Sequence, residues 1–445
     1  MYDSVGQFRQ ALSGRYEDWH PPIMARLWGL LHGAFGGRGG PMLALQMGLY
    51  WLGFGLIADA LVSTGKWRAS VAVLMLAASP LLLGWQTAIL KDSQMLGALA
   101  TAVGLIAARR LRGRNLPLPS LVPLALLFAY AILVRANAVF AVVPLVILLA
   151  PRPANWPAKL AAIAVLTLAV IAVSPLINHR LLGASPSGVE KTQPLYDLAG
   201  IGVRAPQGSP FTPEELATIS AKHCVKPFFW DPLGDEGGCQ SQIERLQSEP
   251  AATLYTAWAR AVVAHPVAYA RHRLAHWNST ERWQVPPGLI GATPPRASEP
   301  NDIGLATPSS SIADAIQRAG AVEAGTPLGW PIVWTFLALC GFSVAVERRE
   351  TSAGGIALAL AGSALAMEAS FLVVSIASDL RYHLWAMTAS ALALILLADG
   401  TRLRRAPVVI AALVLAAIIA AGLQTRATLP LAPDSYAAMV ASRTN

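Results

Sequence analysis

Ten apolar segments recur along this chain, and no other feature so narrows what it can fold into. They cover residues 41–63, 69–88, 93–108, 119–134, 137–150, 158–177, 327–346, 353–374, 382–399 and 407–423, and Leu, Ala, Val and Ile dominate them. Crossing the hydrocarbon core of a bilayer takes about 20 predominantly apolar residues as helix. The ten-residue alternation that builds a membrane β-barrel does not occur. Backbone groups in lipid must be satisfied within the segment, so the expected fold is an all-α membrane protein, a polytopic bundle of about ten transmembrane helices. A chain that is 54% hydrophobic and 13% charged, with mean hydropathy +0.49, lies outside the composition of ordinary soluble proteins.

The short turns between the segments are unequally charged. Lys66/Arg68, Arg109/Arg110/Arg112/Arg114, Arg152/Lys159, Arg348/Arg349 and Arg402/Arg404/Arg405 fall on one side, while the opposite short turns hold only Lys91, Arg135 and Arg381. Lys and Arg concentrate in cytoplasmic loops, so the first side is expected to be cytoplasmic. Counting spans then puts residues 1–40, 178–326 and 424–445 outside. The 178–326 insert holds 12 Lys/Arg against 14 Asp/Glu, so the net charge of +9 belongs to the cytoplasmic turns. That basicity orients the chain. No nucleic-acid-binding motif accompanies it, and no nucleic-acid partner is expected.

The expected divisions are a first outer loop (1–40), six spans (41–177), a mainly helical outer insert (178–326), four spans (327–423) and an outer tail (424–445), with no internal repeat. Nothing resembling a signal peptide accounts for an external first loop. The expectation is that an original first helix is missing, the alternative being unaided translocation. Within the insert, Thr212-Pro213-Glu214-Glu215 is a helix start with a capping Thr and acids in the first turn. Two more helices are expected at 249–264 and 267–277, broken at His265-Pro266. Residues 285–310 read as a long irregular segment, either a lid or binding element or plain surface disorder. Cys340 lies in an apolar span, whereas Cys224 and Cys239 share the insert, where an oxidising compartment would permit a bridge. Their spacing does not suggest a structural zinc site.

The polar motifs on the outer side form the candidate site. The first loop carries Asp3 and the run Glu17-Asp18-Trp19-His20-Pro21-Pro22. Two carboxylates with an imidazole nearby can supply a general base and a positioning group or metal ligand, although three acids in a surface loop are more often merely solvated. Lys91-Asp92, Arg135-Ala-Asn137 and Asp379-Leu-Arg381-Tyr382 stand in the outer turns. Each could serve alone as an interfacial anchor. Together their cations make a natural site for an anionic ligand at the membrane surface, and Arg suits bidentate phosphate contacts. Glu368, mid-span in 353–374, could line a polar cavity or serve helix packing. His272 and His276, one turn apart beside Arg271 and Arg273, suggest a basic interfacial helix more than a zinc pair.

These residues carry a resemblance. Asp3-Ser4, Asp18-x-His20-Pro21-Pro22, Lys91-Asp92, Arg135-x-Asn137 and Asp379-x-Arg381-Tyr382 give the chain a layout, over roughly residues 1–400, that resembles the GT-C glycosyltransferases. These are polytopic enzymes using polyprenyl-phosphate sugars, related to protein O-mannosyltransferases and lipid A aminoarabinose transferases. The motifs are short and degenerate. In that class the first outer loop follows a first transmembrane helix and carries the catalytic Asp. The resemblance therefore implies Asp3 as base, with Asp18 the second acid. The chain departs from the pattern in having no helix before Asp3.

The resulting expectation is a membrane glycosyltransferase, multi-pass in a bacterial inner membrane, with its active face periplasmic. It would move a sugar from a polyprenyl-phosphate donor to a glycan, lipid or protein acceptor. Asp3 would be the general base, Asp18 with His20 would position donor, acceptor or a divalent metal, and Lys91, Arg135 and Arg381 would hold the phosphate. Asp92, Asn137, Asp379 and Tyr382 complete the substrate-binding set. The rivals are a transporter or flippase, which would need discontinuous helices and midplane polar groups, and a non-catalytic envelope-polysaccharide assembly protein.

Overall fold

The computed structural model describes residues 2–150, 155–235, 237–294, 298–305, 310–398 and 405–442. Arg152, Arg402 and Arg404 lie outside these. The first segment holds two helices, α1 (Tyr2–Ser13) and α2 (Ile23–Phe35). It is not an open loop, because Phe8 packs on Trp28 with ring centroids 5.0 Å apart and both are buried. Then follow α3 (Gly40–Ser63), α4 (Trp67–Ala77), α5 (Pro80–Gln86), α6 (Lys91–Arg110), α7 (Leu121–Val134), α8 (Val139–Leu149) and α9 (Trp156–Leu176). The insert contributes α10 (Thr192–Gly202), α11 (Pro213–Ala221), α12 (Asp231–Gly234), α13 (Gln240–Ser248), α14 (Ala251–Ala264), α15 (Pro266–Thr280) and α16 (Ser311–Gly325). Last come α17 (Pro331–Glu347), α18 (Ser352–Ser370), α19 (Leu384–Ala398), α20 (Arg405–Thr428) and α21 (Tyr436–Ala441). Among the described residues, strand is confined to β1 (Tyr16–Glu17) in parallel with β2 (Ala184–Ser185) and one isolated bridge.

The fold is all-α, and each of the ten apolar segments is mainly helical over its described residues. Among the described residues, five helical stretches are long and apolar enough to cross a membrane: α3, Trp156–Leu181, α18, Leu380–Ala398 and α20. The bent pair α4–α5 makes a sixth if it is one span. Segment 69–88, expected as a single helix, breaks at Ala78-Ser79 and bends by 50°. Pro80 has no N–H to continue the ladder and drives Ser79 into extended backbone, ψ 128°. The opened end is answered by Glu323 of α16, whose carboxylate accepts from Ser79 Oγ at 2.8 Å and from the Leu81 N–H at 3.0 Å. A carboxylate at a helix N-terminus also meets the favourable end of the dipole.

Helices α6, α18 and α19 form the centre of the bundle and are almost wholly buried. By contrast, α9 buries none of its residues and α20 only Gly422, which leaves their apolar surfaces facing outward. Helices α3 and α6 pack so closely that a Cβ at Gly104 would come within 2.6 Å of the Gly53 carbonyl oxygen. Small residues permit such approach, and without them the backbones would separate.

The insert has its own core around Leu195, Tyr196, Trp230, Leu233 and Ile243. The expected capping box is present: Thr212 Oγ1 accepts from the Glu215 N–H and the Glu215 carboxylate accepts from the Thr212 N–H. Helices α14 and α15 break at His265-Pro266, as the proline requires. Helix α15, however, is not a basic interfacial helix. His272, Arg273 and His276 are buried. Arg273 donates to the carbonyls of Phe371, Leu372 and Ser375, closing the C-terminal end of α18, and also meets Asp197 at 3.3 Å. Cys224 and Cys239 form a disulfide. The double Cys224→Ser/Cys239→Ser variant should lose about 3 kcal/mol of insert stability in the chain-entropy model. Limited proteolysis of the insert measures it, and unchanged protection would show that packing alone holds the loop.

Candidate functional site

The polar motifs come from five separated parts of the chain and meet at one end of the bundle. Asp3 stands in the first turn of α1, and His20 follows β1. Lys91 and Asp92 open α6, with Asp92 in its first turn, where the helix dipole favours an acid. Arg135 and Asn137 occupy the turn joining α7 to α8, and Asp379, Arg381 and Tyr382 stand at and in the 3-10 turn Leu380–His383 that opens α19.

Arg381 is the hub. Its guanidinium donates to Asp3 at 2.7 Å and to Asp379 at 2.9 Å, and lies 3.8 Å from Asp92. Arg135 meets Asp92 at 3.1 Å and Asn137 Oδ1 at 3.1 Å, and its guanidinium stacks 4.2 Å from the Tyr382 ring centre. Lys91 Nζ donates to His20 Nδ1 at 2.6 Å and lies 3.9 Å from Asp3. Receiving that bond, His20 presents Nε2–H toward Asp3, 3.5 Å away. Three carboxylates thus face Lys91 and two guanidiniums in a compact cluster whose side chains are at most 26% exposed.

Burial would raise the Asp3 carboxyl, but Arg381, then Lys91 and His20, outweigh it and hold Asp3 well below the usual carboxylate range. Burial, aided by repulsion from Lys91, pushes His20 down to about 3, so it stays neutral at physiological pH. Asp18 stands outside this network. Its carboxylate accepts from the Ser187 N–H and Oγ, both at 2.6 Å, and meets His179 at 2.9 Å. Desolvation is outweighed there by these hydrogen bonds, which lower the Asp18 carboxyl. Asp18 therefore ties the first segment to the insert beside the β1–β2 pairing, through contacts other than those that hold His20.

Of the irregular segment 285–310, residues 295–297 and 306–309 lie outside the described residues, and the rest borders the cluster. The Gly291 carbonyl accepts from the Leu380 N–H at 2.9 Å, Asp302 pairs with Arg9 at 2.6 Å, and the Gly304 carbonyl accepts from Arg38 at 2.8 Å. Gly291 has φ +75°, and a Cβ there would strike the Asp379 carboxylate. Gly291→Ala should therefore displace Asp379 from Arg381 and weaken whatever the cluster binds. A variant binding and unfolding like the wild type would show that this segment does not position the site.

One acid of this neighbourhood escaped the sequence reading. Asp231 opens α12, carried there by the Phe229–Ala377 bridge and by the Trp230 N–H donating to the Ile376 carbonyl at 2.9 Å. Burial lifts its carboxyl to about 6 against a hydrogen bond from Tyr436, with repulsion from Asp235, Asp379 and Asp3. The disulfide closes the loop around it. No periodicity marks Asp231; only its place between Cys224 and Cys239 could have drawn notice.

Comparison with known proteins returns no match: no family model, no curated protein and no solved structure is significantly similar to this chain.

Proposed function

We propose that this protein is a polytopic glycosyltransferase that moves a sugar from a polyprenyl-phosphate donor to an acceptor at the outer face of a bacterial plasma membrane. The observation that carries this reading is the convergence of Lys91, Arg135 and Arg381 on Asp3, Asp92 and Asp379 at one end of the bundle. The ten-span topology, with the 178–326 insert in the periplasm, belongs to the same proposal. Helix α6 supports it, beginning at the Lys91-Asp92 cluster and ending at Arg109-Arg110. Its 20 residues make it about 30 Å long, roughly the thickness of the hydrocarbon core; it is less apolar than the five long apolar helices and is held instead by burial at the centre of the bundle.

A lipid-linked donor explains a site at a membrane boundary, since the polyprenyl chain stays in lipid while the sugar enters an aqueous cleft. The donor phosphate competes with Asp3, Asp92 and Asp379 for the three cations. As Arg381 and Lys91 turn to the phosphate, Asp3 loses counter-charge and becomes a better base. It then takes the acceptor hydroxyl proton as that oxygen attacks the anomeric carbon with inversion, and the cations stabilise the departing phosphate. No metal is needed for these steps.

The competing base is Asp231, whose carboxyl titrates nearer the working pH. If it serves, kcat/KM rises as pH rises through about 6 and Asp231→Asn flattens the profile. A profile flat across that range in the wild type assigns the proton to Asp3.

The broken pair α4–α5 favours a second reading, a flippase, because transporters build sites from discontinuous helices. Reconstitution with radiolabelled polyprenyl-phosphate hexoses and pentoses separates the two. Label passing into glycan, lipid or protein acceptors is the expected result. Label that crosses the bilayer still attached to its lipid would make the protein a flippase. Label that does neither would leave a non-catalytic envelope-polysaccharide role.

A further inference from the structure

Beyond that activity, the geometry points to a divalent transition-metal site formed by Glu281, Glu368 and His383. The three residues come from different elements: Glu281 follows the C-terminal end of α15, Glu368 stands in the last turn of α18, and His383 closes the 3-10 turn that carries Arg381. One ligand atom from each lies within 4.8 Å of the others. Ligand atoms bound tetrahedrally at about 2.0–2.2 Å lie about 3.3–3.6 Å apart, so closure around an ion draws the more distant ligand atoms together by up to about 1.5 Å.

Two further observations point to a ligand. Glu281, Glu368 and His383 are all buried. His383 Nδ1 meets Glu368 at 2.7 Å, and its buried Nε2 makes no hydrogen bond of normal geometry, the Thr280 backbone being a polar neighbour in reach. The nearby guanidiniums are committed elsewhere, Arg381 to Asp3 and Asp379, and Arg282 to the carbonyls of Leu289 and Ile290. Two adjacent carboxylates cannot both stay ionised in such surroundings without a counter-charge. A divalent ion supplies it to both and takes the neutral imidazole as third ligand. Thr335 Oγ1 donates to Glu281 at 3.0 Å, the kind of outer contact that orients a metal-binding carboxylate. Two carboxylates with one imidazole suit Zn2+ or Mn2+, and three protein ligands leave a position open. The ion would join the insert, α18 and the turn bearing Arg381.

The test uses the full chain in detergent, with metal content measured by mass spectrometry and thermal unfolding followed after chelation and after adding Zn2+ or Mn2+. Expected are near-stoichiometric metal, a Tm that falls on chelation and is restored saturably by one of the two ions, and loss of metal in Glu368→Gln and His383→Ala. Should those variants fold poorly, Thr335→Val keeps the ligands and should weaken metal affinity about 10–100-fold. The proposal is overturned if the chain holds no metal, neither ion shifts Tm, and Glu368→Gln is as stable as the wild type. The two carboxyls would then share a proton. These readouts do not depend on sugar transfer, so either proposal can fail alone.

Discussion

Asp3→Asn should lower transfer turnover by about 10²–10⁴-fold, the usual contribution of a positioned general base, while binding polyprenyl phosphate at least as tightly as the wild type. The two effects part company because of what surrounds Asp3. Its carboxylate neutralises Arg381 at 2.7 Å and competes with an incoming phosphate for that cation and for Lys91. Asn retains the shape but removes the charge, which leaves the cluster with excess positive charge and a freer phosphate site. Kinetics with labelled donor and equilibrium binding of polyprenyl phosphate read the two separately. Near-normal turnover would exclude Asp3 as base and direct attention to Asp231→Asn. Turnover and phosphate binding lost together would make Asp3 a scaffold of the cluster.

Arg381→Ala should be the most damaging single change to the fold of the site. It strands Asp3 and Asp379 and weakens the neutralisation of buried Asp92. Removing one partner of a buried ion pair typically costs about 3–5 kcal/mol, because the remaining charge has lost its counterion. Arg381→Lys should recover only part of that loss. A single ammonium cannot reproduce the planar fork that reaches Asp3 and Asp379 together. Denaturation in detergent checks the order wild type, Lys, Ala. If Ala is as stable as the wild type, the ion cluster does not hold this end of the bundle together, and Arg135 with Lys91 must carry the phosphate contact.

The helical class was legible because its cause is local. A backbone in lipid must pair within its own segment, so each apolar run announces a helix regardless of its neighbours. The turns were legible for the same reason: Thr212 with Glu215, and the proline at 266, act within one helical turn. Even the break before Pro80 was present in the residues. Apolar length masked it, because a segment-wide average does not register one missing N–H.

Partnership was much less legible. Asp18 and Asp3 look alike as carboxylates of one first segment, yet Asp18 pairs with Ser187 and His179 while Asp3 meets Arg381 across most of the chain. His272 and His276 stand beside Arg271 and Arg273, and only the insert's docking onto α18 shows that the histidines and Arg273 point inward while Arg271 stays exposed. Asp231 gains its place from the pairing of Phe229 with Ala377. Glu281, Glu368 and His383 come together only when α15, α18 and the turn before α19 pack.

The sequence by itself determined that this chain is a bundle of apolar helices with its polar chemistry gathered in the turns of one side, since hydrophobic run length and loop charge are properties of short segments. Only the tertiary structure decided which acid faces which cation. Such pairing depends on distances of a few ångströms between residues hundreds of positions apart, and those distances are set by how the helices pack.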